Sequence, residues 1–197
     1  MPASRFTRAY FEKWYRNPRH RVITPAAVAR KAALAVSVAE YYLRRRIRSV
    51  LDIGCGEGQW QPVLKRLRPS ASYLGVDPSP YAVAKFGRRR NLVAGSLGCL
   101  PGLGSAYDLI VCSDSLYYVP GEELAAGLRV LVPRLAGIAF LEAYASDAAL
   151  DGDTAGMCPR SAADYRRIFR NAGLRSCGSH CYAGPLLHEQ VTDLERG

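Results

Sequence analysis

Apolar and polar positions change period along this chain so as to lay out alternating strands and helices. Short aliphatic and β-branched runs bounded by turn residues predict strands over residues 49–53, 72–76, 91–94, 107–113, 137–143, 174–180 and 186–194. Between them the period lengthens. Thr24-Pro25 has a capping hydroxyl and a proline for the first turn, and starts a helix over 25–45. A helix over 59–67 carries Pro62 in its first turn, where a missing N–H does no harm, and Pro69 lies beyond its end. Further helices are predicted from Pro80 to Phe86 with Gly87 as the stop, over 122–131, and over 161–172. The last has Ser161 as cap, Asp164 three positions on and Gly173 behind it. Near the N-terminus Phe6, Tyr10, Phe11 and Trp14 recur at helical spacing until Asn17-Pro18 ends the pattern. Strand–helix alternation of this kind predicts an α/β fold, mostly parallel, with helices on both faces of the sheet.

Composition adds bounds. The chain has 197 residues, 49% hydrophobic and 22% charged, enough for one folded domain with a substantial core. No apolar run is long enough to cross a bilayer, and the first residues lack an apolar signal core, so a cytoplasmic setting without membrane contact is expected. The six cysteines, at 55, 99, 112, 158, 177 and 181, include no Cys-x-x-Cys pair. Reduced thiols are therefore expected, and the group Cys177, His180, Cys181 matches no zinc spacing, so no metal is expected. The net charge is +10, concentrated in arginines at 44–46, 48 and 88–90. Such a surface favours anionic partners, RNA included. Arg44–Arg46 also fall where they would complement the C-terminal end of the helix over 25–45.

Candidate chemistry begins at the first strand. Ser49-Val50-Leu51-Asp52-Ile53 runs into Gly54-Cys55-Gly56-Glu57-Gly58, and the second strand ends in Asp77. A strand, a glycine-rich turn, a helix and a second strand closed by an acid make a nucleoside-binding half-domain. Gly54 and Gly56 permit a sharp bend and close approach of bare backbone to a ligand. The dinucleotide fingerprint needs a small residue three positions after Gly56, and Gln59 stands there, which counts against a nicotinamide-dependent oxidoreductase.

The run Asp52-x-Gly54-x-Gly56-x-Gly58 resembles motif I of the class I S-adenosylmethionine (SAM)-dependent methyltransferases. The resemblance covers about residues 45–195 and implies a Rossmann-like sheet of seven strands with a C-terminal antiparallel hairpin. It divides the chain into an N-terminal helical or lid segment, 1–44, and a methyltransferase domain, 45–197. The cofactor it implies is SAM. Its methionine part would lie on Gly54, Cys55, Gly56 and Gly58, its ammonium end toward Asp52, and its ribose on Asp77 beside Pro78 and Ser79. The adenine would lie by Ser96 and Leu97, with Ser113 at the end of strand 4 also near the cofactor. Ser96 departs from the family pattern, which often has an acid at that corner.

Ligands of open α/β sheets bind outside the carboxyl ends of the strands. There the sequence offers Asp114 and Tyr117 as catalytic candidates, the first to accept a proton or bind an amine, the second to line the transfer channel. Tyr118, Glu142 and Tyr144 are further candidates for acceptor contact, and the loop 145–160, with Asp147, Asp151 and Asp153, is the longest. His20, His180 and His188 are too scattered to form a site. No Asn/Asp-Pro-Pro-Tyr follows strand 4, which argues against methylation of DNA amines or release-factor glutamine, and no Pro-Cys nucleophile appears. Ser115-Leu116-Tyr117-Tyr118-Val119 resembles a loop of small-molecule N-methyltransferases of the nodulation type. The reading is methyl transfer from SAM to N or O of an acceptor, a small molecule in preference to RNA or protein. A non-catalytic SAM-binding protein is the remaining alternative.

Overall fold

The computed structural model describes residues 5–104, 106–146 and 153–191. A seven-stranded sheet runs in the order β3-β2-β1-β4-β5-β7-β6. Its strands are β1 (Ser49–Ile53), β2 (Ser72–Asp77), β3 (Leu92–Ala94), β4 (Tyr107–Cys112), β5 (Leu135–Leu141), β6 (Arg175–Ser176) and β7 (Cys181–Ala183). The first five are mutually parallel; β7 runs antiparallel to both β5 and β6. Between β4 and β5 the register slips: Tyr107 faces Leu135 but Leu109 faces Ile138, so Ala136 and Gly137 together oppose Asp108.

Alternation along the buried strands sends side chains into two cores. Val50, Leu109, Val111, Ile138 and Phe140 pack with α2 (Pro25–Leu43) and α3 (Trp60–Leu67) on one face. Leu51, Ile53, Ile110, Cys112, Ala139 and Leu141 pack on the other with α5 (Gly121–Leu131) and α6 (Ala162–Asn171). α2 places Val28, Ala32, Ala35, Val36 and Ala39 in the first core. The expected boundary at 44/45 thus separates a helix and a strand that share one core.

Caps explain most helix starts. Thr24 Oγ1 accepts from the Ala27 N–H at 3.1 Å, Ser79 Oγ from the Ala82 N–H at 3.1 Å, and Ser161 with Asp164 forms a complete capping box. Two expected stops are corrected. α4 (Pro80–Arg90) runs past Gly87, because Asn91 at φ 55° supplies the left-handed cap. Gly87 instead lets the helix pass close to the backbone of Leu92, whose carbonyl oxygen is 3.1 Å from where a Cβ would stand. α2 ends at Leu43 with Arg44 left-handed, so the arginine run lies outside its last turn, and Arg45 reaches Asp108 with two contacts of 2.7 Å.

The expected C-terminal antiparallel hairpin is present, but its strands lie at other bounds. Gly178, Ser179 and His180 all adopt positive φ (81°, 49° and 63°), which folds the run 174–180 back on itself. β6 and β7 are the two arms of that turn. Pro185–Gln190 forms a 3-10 turn where a strand was expected, and the end of that expected strand, 192–194, lies outside the described residues. The N-terminal pattern becomes α1 (Arg8–Phe11), which widens into a π-helical turn over Glu12–Arg16. Among the described residues no helix is long and apolar enough to cross a membrane.

Candidate active site

The glycine turn is fastened to the end of β2. Gly54 N–H and Cys55 N–H both donate to the Val76 carbonyl, at 2.8 and 3.2 Å, and Gly56 N–H donates to Asp77 Oδ2 at 2.6 Å. Gly54 and Gly56 have φ of 69° and 55°. A Cβ on Gly54 would lie 2.5 Å from Ser115 Oγ, and one on Gly56 2.6 Å from the Tyr15 hydroxyl, so bare backbone is required at both. The second oxygen of Asp77 accepts from Ser79 N–H at 2.8 Å. Burial pushes the Asp77 carboxyl above its ordinary range, and the two N–H donors of Ser79 and Gly56 pull it back only in part.

Above the turn lies a cavity open to solvent. Ile53, Gly54 and Gly56 form its base, Asp77 and Pro78 one wall, and Ser96, Leu97 and Gly98 one end. Cys112, Asp114, Ser115 and Tyr118 form the opposite end. The roof is the N-terminal segment, through Phe6, Tyr10, Phe11 and Tyr15. That segment is tied down at three points. Ser79 Oγ donates to the Phe6 carbonyl at 2.5 Å, Arg16 holds both oxygens of the buried Glu57 at 2.6 and 2.7 Å, and Arg5 pairs with Asp153.

Seven of the residues expected at the cofactor or the reaction face this space: Gly54, Gly56, Asp77, Pro78, Ser96, Leu97 and Asp114. The others do not, each for a local reason. Cys55 is buried behind the turn, its thiol pushed well up by burial. Gly58 at φ 71° is needed against Leu92, whose Cδ2 would be 2.9 Å from a Cβ. Ser79 is spent on capping α4 and on Phe6. Ser113 Oγ donates to Glu142 at 2.6 Å. Tyr117 turns away to pack on Tyr118 and Tyr144, with ring centroids 4.4 and 5.7 Å distant, and Tyr118 takes the wall position. Cys112 lines the cavity, but burial raises its thiol to about 12, so it stays protonated. No histidine lines the cavity among the described residues.

Asp52 needs the plainest correction. It shares the strand face of Val50, opposite Leu51 and Ile53, and its carboxylate accepts from the Tyr73 hydroxyl at 2.7 Å inside the first core. Burial raises its pKa to about 7 against an ordinary 3.8; the Tyr73 bond opposes this and Asp77 adds to it. Between those two values the folded protein holds a proton that the unfolded chain has lost. Stability therefore declines as pH rises through that window. Asp52→Asn is expected to flatten this decline and to melt a few degrees higher than wild type at about pH 8. Calorimetric melts at several pH values check it, and parallel pH profiles for the two proteins would contradict it.

At the exit of β4 the structure brings together three residues expected there, Asp114, Glu142 and Tyr144, with a fourth, Lys31, that the sequence did not announce. Lys31 of α2 donates to Glu142 Oε2 at 2.6 Å and to Asp114 Oδ2 at 3.0 Å. Tyr144 donates to Asp114 Oδ1 at 3.1 Å. Asp114 itself has φ 56°, a left-handed turn at the end of the strand. Nothing in the residues around Lys31 marks it, whereas the roof aromatics were visible as a helical stripe.

A nucleoside-shaped ligand fits these groups. Two glycine positions that reject a Cβ leave flat backbone, and Asp77 offers a hydroxyl pair a carboxylate with lone pairs still free. Residues 50–136 match the family model described as a methyltransferase domain. A release factor glutamine methyltransferase from Geobacter sulfurreducens is 33% identical over 145 residues; the match covers 69% of this chain but 46% of that protein, so the chain spans just under half the length of this relative. Among solved structures, the sugar N-methyltransferase from a Streptoalloteichus species superposes with a TM-score of 0.65 at 20% identity, over 84% of this chain and 89% of that one. A SAM-bound amino pentose methyltransferase from Micromonospora echinaspora gives 0.65 at 17% identity, over 85% and 94%. Motif, strand order and family match agree: residues 50–136 are similar to a methyltransferase domain, and the chain has the Rossmann-like fold of the class I SAM-dependent methyltransferases.

Proposed function

We propose that the protein binds SAM in this cavity and transfers its methyl group to a small-molecule nucleophile. The observation that carries the reading is that Asp77, the glycine turn and the Ser96–Leu97 corner share one cavity with the Asp114 end of β4. When bound, SAM supplies a methyl group on a cationic sulfur that departs as a neutral thioether. Gly54 and Gly56 would pass the methionine part, Asp77 would accept from the ribose hydroxyls, and Ser96 and Leu97 would border the adenine. The roof of Phe6, Tyr10, Phe11 and Tyr15 would exclude water and hold the two reactants in line.

An enclosed aromatic roof favours a small acceptor over RNA or a folded protein. The relative from Geobacter sulfurreducens is named for glutamine in a release factor, but Ser113-Asp114-Ser115-Leu116 stands here after β4, without the Pro-Pro-Tyr run. We place the protein in the cytoplasm, where its six free thiols would stay reduced. Titration calorimetry with SAM and with its demethylated product, S-adenosylhomocysteine (SAH), tests the cofactor. Micromolar or tighter binding of both is expected, with NADH silent. Absence of SAM binding removes the proposal, and binding without turnover on any amine or alcohol would favour a regulatory role.

A further inference from the structure

We propose that the acceptor is an amine, received as its ammonium ion by Asp114, and that Lys31 is the residue that positions Asp114 for it. This rests on the methyltransferase reading above and adds the chemical class of its acceptor.

One ammonium sits between two carboxylates. Lys31 bridges Glu142 and Asp114, and Ser113 Oγ adds a further bond to Glu142 at 2.6 Å. The cluster therefore carries a net charge of −1. Glu142 is its buried member, with 7% of its side chain exposed; Asp114, at 26%, faces the cavity. Burial pulls the Lys31 ammonium down, but Asp114 and Glu142 together more than offset it, so Lys31 stays charged and cannot serve as a base. Tyr144 and Tyr117 are pushed up, by burial first and Asp114 second, so both remain proton donors.

Charge and basicity then select the acceptor. A thiolate or carboxylate nucleophile would be repelled by a cluster of net −1. An alkyl hydroxyl must lose a proton far less acidic than that of an ordinary carboxylic acid, and less acidic than that of an ammonium. An alkylammonium, at roughly 10, lies only about six units above the carboxylic acid. With no histidine at the wall, a carboxylate base fits the amine far better than the alcohol. In the step proposed, Asp114 takes one proton from R–NH₃⁺ and frees the nitrogen lone pair. The N–C bond forms as the S–C bond breaks, its electron pair stays on sulfur, and Asp114 passes its proton to water.

Lys31 acts through Asp114. Without it, two carboxylates would face each other across the same space, and each would hold its proton more tightly. Among the described residues the titratable and charged groups around Asp114 include Lys31 from α2, Glu142 and Tyr144 after β5, Tyr117 after β4, Tyr15 from the roof and Cys112 from β4, and Ser113 Oγ donates to it at 3.3 Å. Among them only Lys31 is a cation.

The test uses the full chain saturated with SAH and three probes of one shape: benzylamine, benzyl alcohol and benzoate. Calorimetry is expected to show benzylamine binding about tenfold or more tighter than benzyl alcohol, and benzoate weakest. Asp114→Asn is expected to abolish that preference while SAH affinity stays within about threefold. In Lys31→Met, the pH at which acid releases benzylamine is expected to rise by about one unit, and Lys31→Arg should restore it. Equal binding of amine and alcohol, or no binding of either, overturns the proposal. So does a tenfold loss of SAH affinity in Asp114→Asn, which would assign Asp114 to the donor. If wild type fails to bind SAH, the methyltransferase reading fails instead. Should Lys31→Met not fold, Lys31→Gln carries the same comparison, and an unchanged release pH in either variant overturns the role of Lys31.

Discussion

Gly137→Ala is expected to destabilise the protein by about 3 kcal/mol, a fall in melting temperature of roughly 6–12 °C. Gly137 is in the bulge where β5 spends two residues against Asp108. A Cβ there would land far inside the van der Waals radius of the Asp108 carbonyl oxygen and 3.0 Å from Leu43 Cδ1. Asp108 cannot retreat cheaply. Its side chain is held by Arg45 with two contacts of 2.7 Å and by Arg48 N–H at 2.6 Å. On its other side the Gly137 carbonyl accepts from Gly184 N–H at 3.1 Å, which ties the bulge to the residue after β7. An added methyl must therefore open the bulge or shift β5, the strand that delivers Glu142 to the acceptor end. Gly102→Ala is the control, since nothing lies within 4 Å of its Cβ position, and it should melt like wild type. Urea titration or a thermal melt decides; a Gly137→Ala protein within a degree or so of wild type would show that the bulge gives way freely.

That bulge also marks where the sequence misled. Gly137 read as the start of a strand over 137–143, whereas β5 begins at Leu135 and carries the glycine inside it. β1, β2 and β4 were legible because they are short buried runs that end in turn residues, and their starts at Ser49, Ser72 and Tyr107 hold. Positive φ was harder to place. Asn91 took the cap expected of Gly87, and Ser179 and His180 entered the left-handed region without being glycine, so the strand expected over 174–180 became the first arm and the turn of a hairpin whose second arm is β7. Propensity ranks residues for such positions but does not say which the tertiary contacts will use.

The site divides the same way. The glycine turn and Asp77 are local to one strand–turn–helix–strand unit, and all of it can be read within thirty residues or so of sequence. Asp52 was assigned by family resemblance, although strand parity with Val50 already turned it away from the cavity. At the acceptor end Asp114, Glu142 and Tyr144 were readable from their place after β4 and β5, but Lys31 was not. Lys31 meets Asp114 across 83 positions of chain and Glu142 across 111, and only the docking of α2 on the sheet brings them together.

Asp77→Ala is expected to weaken SAM and SAH binding alike by about 1–3 kcal/mol, roughly fivefold to 150-fold. The two ligands share the ribose, and Asp77 is the carboxylate at the cavity wall best placed for its hydroxyls. The loss should not come from unfolding. The Asp77 carboxyl sits above its ordinary range because of burial, so replacing it relieves a desolvation cost while freeing the N–H groups of Gly56 and Ser79. Those two effects oppose each other, and the melting temperature should move little. The carboxylate is the form that accepts from the hydroxyls, so affinity should fall as acid protonates Asp77; the upward shift places that fall above the ordinary carboxylate range, and the alanine variant should lose it. An SAH analogue lacking both ribose hydroxyls separates the causes. Wild type and Asp77→Ala should bind it equally, since the coupling between carboxylate and hydroxyls is then absent from both. If Asp77→Ala instead weakens the analogue, relative to wild type, by the same factor as it weakens SAH, Asp77 acts by shaping the glycine turn through Gly56. The ribose would then be held elsewhere.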